Sequence, residues 1–228
     1  FEPLTRADLV ALSSDAAVGA ALEHAAVTDH GAQVYSGHPL FLERLARSLD
    51  KVEVQTRRAG LAAQLATRPS HNPADRLGRT LLALQGAGPV DTDAVVAAAQ
   101  EALRLGDLGL AERLSRGALE HGGTFPARLA LSYALAWQGR GREADSVLAE
   151  VDTAGLDEEQ LMAWALPRAA NQFWMLSEPE RAAVFLQTVR GRVGSASSRI
   201  TLDALSATFA MNAGNVRRAV EVADDVLG

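Results

Sequence analysis

The sequence predicts an all-α chain, a right-handed solenoid of helical hairpins preceded by a small unit that holds one short β-hairpin. Three observations carry this. Apolar residues recur at three- and four-residue intervals through nearly every segment, the spacing of an amphipathic helix, while aromatic residues make up only 5% of the chain and strand-like runs are missing. From Asp91 onward the pattern repeats with a period of 33 to 38 residues. One segment differs, Ala26 to Tyr35, where Val27 and Val34 flank the turn residues Asp29-His30-Gly31.

Taken in order, Pro3 to Ser13 and Asp15 to Ala25 read as two short helices ahead of that hairpin, and His38 to Ser48 as a third behind Gly37. This order of helix, helix, hairpin and helix suggests a small winged-helix-like unit over residues 1–50. Residues 51–90 form a helical linker: a helix from about Val52 to Ala66 that stops before Pro69, and another from Pro73 to Leu84 ahead of Gly86-Ala87-Gly88-Pro89.

Residues 91–228 hold about four repeats. Ala111, Ala144, Ala182 and Ala219 serve as anchors, 33, 38 and 37 residues apart. Five residues before each anchor stands a turn residue, Gly106, Gly139, Ser177 or Gly214. Twelve before stands a small one, Ala99, Ser132, Ala170 or Ala207, and seven after comes Ala118, Val151, Val189 or Val226. Such spacing describes a helical hairpin. Its first helix ends in a left-handed residue, which glycine adopts without penalty, and small residues let the two helices cross closely. Neither helix buries its apolar face alone, so successive hairpins stack.

Composition removes several classes of function. The 228 residues contain no cysteine, which excludes disulfide scaffolds and thiolate metal sites, and a chain of this length buries about 70% of its unfolded surface without such staples. Net charge is -6, the one lysine is Lys51, and acidic residues outnumber basic ones within residues 1–60. No basic stripe is present to neutralise a phosphate backbone, so direct nucleic-acid binding is not expected, including DNA binding by a winged helix. No apolar run approaches the ~20 residues of a membrane span and no signal peptide stands at the start, so a cytoplasmic location is expected. Phe1 at the start and a helical pattern running up to Gly228 suggest a piece of a longer protein.

Catalytic signatures are missing as well. His24, His30, His38, His71 and His121 show no paired metal-ligand spacing, and no GxSxG or HExxH motif occurs. Asp157-Glu158-Glu159 reads as an acidic helix start favoured by the helix dipole, Asp224-Asp225 as a solvated helix end, and Arg57-Arg58 and Arg217-Arg218 as exposed helix faces. Pro167 interrupts the helical pattern Glu158 to Leu176 and predicts a kink. Pro179 suits a first helical turn, with Ser177 as the cap before it rather than a phosphoacceptor.

The candidate site is the face lined by the first helix of each hairpin, where Trp137, Trp164 and Trp174 all fall. Positions eleven before the anchors (Gln100, Tyr133, Asn171, Thr208) and seven before (Arg104, Trp137, Met175, Asn212) point to the concave side of a solenoid. Tyr133, Trp137, Asn171 and Met175, with Gln100, Arg104, Trp164 and Arg168, then form a mixed aromatic and polar wall suited to a small molecule or a peptide. The competing reading of the same large residues is packing between helices.

GDLGLAERLSRGALEHGG, Gly106 to Gly123, resembles the second half of a tetratricopeptide repeat, and GHPLFLERLARSL, Gly37 to Leu49, resembles the segment that closes the winged-helix module of large ATP-binding LuxR-family regulators, the MalT-like signal-transduction ATPases. The arginine-rich helix Val54 to Ala66 and the repeats follow in that family's order. The resemblance implies a non-catalytic sensor fragment of an ATP-dependent transcriptional regulator, in which effector or partner binding to the superhelix controls activation. ATP or ADP would bind the full-length protein but not this piece, which lacks a GxxxxGK[ST] loop, and DNA would be bound by a C-terminal helix-turn-helix beyond it. Self-association is compatible with this reading. The resemblance also places His38 where a winged-helix histidine reaches the β-phosphate of ADP; alternatively His38 caps the turn before Pro39. A stand-alone tetratricopeptide-like scaffold for protein assembly is the alternative function.

Overall fold

The computed structural model describes residues 4–31, 33–68 and 72–227. The structure is mostly helical (72%), and among the described residues strands occur only before Gly37. The chain forms two compact units, Phe1–Glu101 and Ala102–Gly228.

The first unit contains a three-stranded antiparallel sheet, β1 (Leu4–Thr5), β2 (Val27–His30) and β3 (Gln33–Ser36), in the order β1-β3-β2. The expected hairpin therefore supplies two of the three strands of a larger sheet. Asp29 and His30 belong to β2, opposite Val34 and Gln33, and the chain reverses at Gly31, whose φ is +74°. β1 lies where a helix was expected. Thr5 is extended and caps α1 (Arg6–Leu12), accepting from the Asp8 N–H while the Asp8 carboxylate accepts from the Thr5 N–H. This reciprocal cap starts the helix at Arg6 and leaves Leu4 and Thr5 to pair with Val34 and Gln33. Pro3, the expected start, lies outside the described residues.

α2 (Asp15–Glu23), α3 (Pro39–Ser48), α4 (Lys51–Ala66), α5 (Pro73–Leu84) and α6 (Thr92–Arg104) follow. α1 packs on α2 and α4, and α4 on α5, burying Val18, Val34, Leu65, Leu77 and Leu82. Asp8 is buried and ion-paired with Arg68 at 2.6 Å. Burial pushes its carboxyl up, but the Thr5 hydrogen bonds and the Arg68 charge outweigh that and hold it below the ordinary value. Arg79 donates to the Leu65 and Arg68 carbonyls at the end of α4, satisfying acceptors that a helix C-terminus leaves open. Pro69 and His71 lie outside the described residues.

The second unit continues with α7 (Leu108–Glu120), α8 (Phe125–Trp137), α9 (Gly141–Ala149), α10 (Glu158–Ala170), a π-helical turn (Asn171–Met175), α11 (Pro179–Arg190), α12 (Ala196–Asn212) and α13 (Val216–Leu227). Neighbours in sequence pack together: α7 with α8, α8 with α9, α10 with α11, α11 with α12 and α12 with α13. The anchors Ala111, Ala144, Ala182 and Ala219 are all buried, where a larger side chain would push the crossing helices apart. Ala118 and Val189 are also buried; the side chain of Val226 lies outside the described ones. The main core gathers Leu148, Leu161, Trp164, Ala165, Leu186, Val189, Leu202 and Phe209.

The four repeat turns share one conformation. Gly106, Gly139 and Gly214 have φ of +78° and Ser177 has +57°. After each glycine the next N–H reaches back five residues: Asp107 to Ala102, Arg140 to Leu135 and Asn215 to Ala210, the bond that closes a helix through a left-handed residue. At Ser177 the corresponding bond runs six residues, from Glu178 to Gln172 at 2.9 Å. The extra residue is the π turn, whose ladder is closed by Leu176 N–H to the Asn171 carbonyl. It begins within one turn after Pro167, which has no N–H to give and whose ring crowds the preceding turn. Ser177 is thus a helix-ending residue, not the cap of α11; Glu178 occupies the N-cap position, with no side-chain cap bond.

A candidate ligand-binding cleft

A cleft of ≈ 320 Å³ opens in the second unit between α8 and the segment running from α10 into the π turn, with α9 behind it. Two successive hairpins build it in the same register. α8 contributes Ser132, Tyr133, Ala136 and Trp137, which stand 12, 11, 8 and 7 residues before the anchor Ala144. The next hairpin contributes Ala170, Asn171, Trp174 and Met175, at the same four offsets before Ala182. Ala144, Leu148 and Pro167 complete the lining. Small residues at the first and third offsets of α8 leave room, and large ones at the second and fourth form the walls.

The walls expose apolar surface that a core would hide. Trp137 is 70% exposed, Trp174 48%, Met175 46% and Tyr133 38%. Trp174 is braced edge-on against Phe173 and Phe209, with centroids 5.5 and 5.2 Å away, and Phe173 stacks on Phe209 at 4.2 Å. Tyr133 and Trp137 also border a second hollow with Leu103, Gly106 and Leu108.

Polar groups at the cleft are few. Ser132 donates its hydroxyl to the Leu129 carbonyl. Asn171 is 4% exposed and donates its Nδ2 to the Gly141 carbonyl at 2.8 Å, while its Oδ1 is buried without a partner. Gly141 is required there by close approach: a Cβ on it would lie 2.7 Å from Met175 Cβ and 3.1 Å from Asn171 Oδ1. Burial pushes the Tyr133 phenol above its ordinary pKa, which keeps it a neutral donor near pH 7.

Of the residues expected on the wall, Tyr133, Trp137, Asn171 and Met175 therefore meet at one cleft. Gln100 and Arg104 are exposed on α6, whereas the walls come from α8 to the π turn. Trp164 and Arg168 do not face the cleft. Trp164 is buried, with its indole N–H donating to the Leu148 carbonyl at 2.8 Å, and it packs edge-on against Phe185. The Arg168 guanidinium lies over both rings at 5.3 and 5.4 Å and pairs with Asp145. Their distances from the anchor, 18 and 14 residues, match none of the four lining offsets.

The sequence reading put Trp174 on the candidate face but left it out of the wall, and it missed Ala136, Pro167 and the small floor residues. The signal was present, because Ala136 and Trp174 share the offset eight before their anchors. No family model, curated protein or solved structure matches the chain.

Elsewhere, His38 is the N-cap of α3, and its Nδ1 accepts from the Leu40 N–H at 3.2 Å. Gly37 before it is pressed against the Ala25 carbonyl, with no room for a Cβ. Among the described residues, no three His, Asp or Glu side chains gather as a metal site, and no helix is long and apolar enough to cross a membrane.

Proposed function

We propose that the chain is a non-catalytic sensing module built from tetratricopeptide-like hairpins that continue as a right-handed solenoid. We read it as the sensor of an ATP-dependent regulator of the LuxR type, with nucleotide and DNA handled by other parts of that protein. The observation that supports a binding role is the cleft, where two consecutive hairpins offer lining residues at identical offsets and leave two tryptophans, a tyrosine and a methionine uncovered. Exposed apolar surface gathered in a concavity marks a place where something docks. The walls carry no ionisable group besides Tyr133, which suits recognition rather than acid-base chemistry. Effector binding would act by favouring one arrangement of the hairpins over another, which requires different affinity for the two.

Thermal unfolding of the chain against sets of small metabolites and of short peptides tests this. A ligand of the cleft raises the Tm of the native chain and shifts its tryptophan emission, and loses both effects in Trp137→Ala. Ligands that stabilise the native and Trp137→Ala chains equally would place binding elsewhere and remove the reading.

A further inference from the structure

The aromatic make-up and the neutrality of the walls narrow the ligand class. We infer that the cleft takes an uncharged, flat aromatic molecule of about two fused rings. This rests on reading the cleft as the module's ligand site and commits it to one kind of occupant.

Size sets the ring count. An apolar cavity of roughly 150 Å³ holds one benzene ring, and this cleft has ≈ 320 Å³, room for two such rings. Shape follows from the walls, since Trp137, Trp174 and Tyr133 present ring surfaces against which a flat ligand stacks or packs edge-on. Charge is excluded by cost, because the lining contains no charged side chain and an ion moved there would lose its hydration with no counter-charge. Asn171 offers no polar handle, because its Nδ2 donates to the Gly141 carbonyl and its Oδ1 is buried against Gly141.

The same accounting disfavours a peptide. Every peptide residue brings a backbone donor and an acceptor that need partners, yet Ser132 and the Asn171 amino group are already committed. The polar capacity left is at most that of the Tyr133 hydroxyl and two indole N–H groups, too little for an extended backbone.

Titration calorimetry with 2-naphthol as the probe tests the inference on the full chain. Binding is expected with a Kd of order 10–100 µM. The neutral ring 2-methoxynaphthalene should bind comparably, and binding should weaken at least tenfold for 2-naphthoate and for 2-naphthylmethylammonium, which carry charge. Trp137→Ala should weaken 2-naphthol at least tenfold while leaving the Tm of the free chain unchanged, because that side chain is mostly exposed. Equal affinity for the charged and neutral rings, or unchanged binding by Trp137→Ala, would each overturn it. A peptide that binds at Trp137 where 2-naphthol does not would overturn the aromatic ligand and leave the sensing module standing. If neither small molecules nor peptides respond to Trp137→Ala, both fail together.

Discussion

The Asn171 side-chain amide donates to the Gly141 carbonyl at 2.8 Å, so the π turn of one hairpin is tied to the first residue of the second helix of the hairpin before it. Both residues border the cleft region: Asn171 lines it, and the missing Gly141 Cβ leaves the space that Met175 Cβ and Asn171 Oδ1 fill. Wall position is thereby coupled to helix packing rather than left to surface rotamers.

Gly141→Ala therefore sets two effects against each other. Alanine in a first helical turn ordinarily stabilises by about 0.4–1 kcal/mol through the unfolded chain. Here the new methyl would meet Met175 Cβ at 2.7 Å, an atom fixed to the backbone that has no rotamer to escape into. Overpacking of this kind costs about 1–3 kcal/mol, so the substitution should be net destabilising and should shift Trp174 emission. Urea denaturation followed by tryptophan fluorescence checks both, and a stabilised variant would show that the π turn yields freely.

Asp145 joins three segments. It accepts from Arg168 Nε at 3.0 Å, Gln172 Nε2 at 3.3 Å and Arg181 at 2.8 Å, linking α9 to α10, the π turn and α11. Breaking a dry ion pair costs about 3–5 kcal/mol; Arg181 is half exposed, so about 2–3 kcal/mol is expected for Asp145→Ala. Burial pushes the Asp145 carboxyl up, but the hydrogen bond and charge of Arg168, with Gln172 and Arg181, prevail and lower its pKa from 3.8. Its contribution is then complete above pH 3.8 and is lost as the pH falls through the lowered value. Chemical denaturation at pH 7 measures the loss, and a penalty under 1 kcal/mol would show that the three segments hold without it.

Glu158 gives a cleaner acid signature. Its carboxylate accepts from the Ser195 and Ser198 hydroxyls and from the Gly194 and Ser195 N–H groups at the start of α12, and these bonds lower its pKa from 4.5 to about 2. A depressed carboxylate stabilises the folded state fully above pH 4.5 and loses that contribution between 4.5 and about 2. Glu158→Gln should lower the Tm at pH 7 and flatten the fall of Tm over pH 4.5 to 2. Parallel Tm curves for the two proteins across that window would contradict the assignment.

How far the sequence foretold this site depends on which interaction set each residue. Local signals were legible: the left-handed turns at Gly106, Gly139 and Gly214, the turn position of Ser177 though not its helix-ending role, the buried alanine anchors, and the wall residues Tyr133, Trp137, Asn171 and Met175 all follow from offsets counted along the chain. Non-local choices were not. Trp164 and Arg168 share a helix with wall residues, and only the position of Asp145 and Phe185, which come from α9 and α11, turns them into the core. β1 was hidden because two residues carry no periodicity, and its pairing depends on Gln33 and Val34 about thirty residues away. The π turn was foreshadowed by Pro167 as a bend, but a proline does not say whether the ladder kinks or gains a residue.

Ser177 is where local chemistry and packing disagree, and so it yields the sharpest test. Three sister turns place glycine in the left-handed region, and this one places serine there at φ +57°. A side chain in that conformation costs about 1–2 kcal/mol, whereas a glycine substitution gives back roughly 0.5–1 kcal/mol to the unfolded chain. The conformational relief is the larger quantity, so Ser177→Gly should stabilise the chain by up to about 1 kcal/mol, and Gly139→Ser should destabilise it by a similar amount. Ser177 is exposed, which removes lost burial as a competing cause. Urea unfolding of both variants decides the matter. If Ser177→Gly instead weakens the fold, the serine is a working part of the π turn, holding the Glu178 to Gln172 closure that positions Trp174 and Met175 at the cleft.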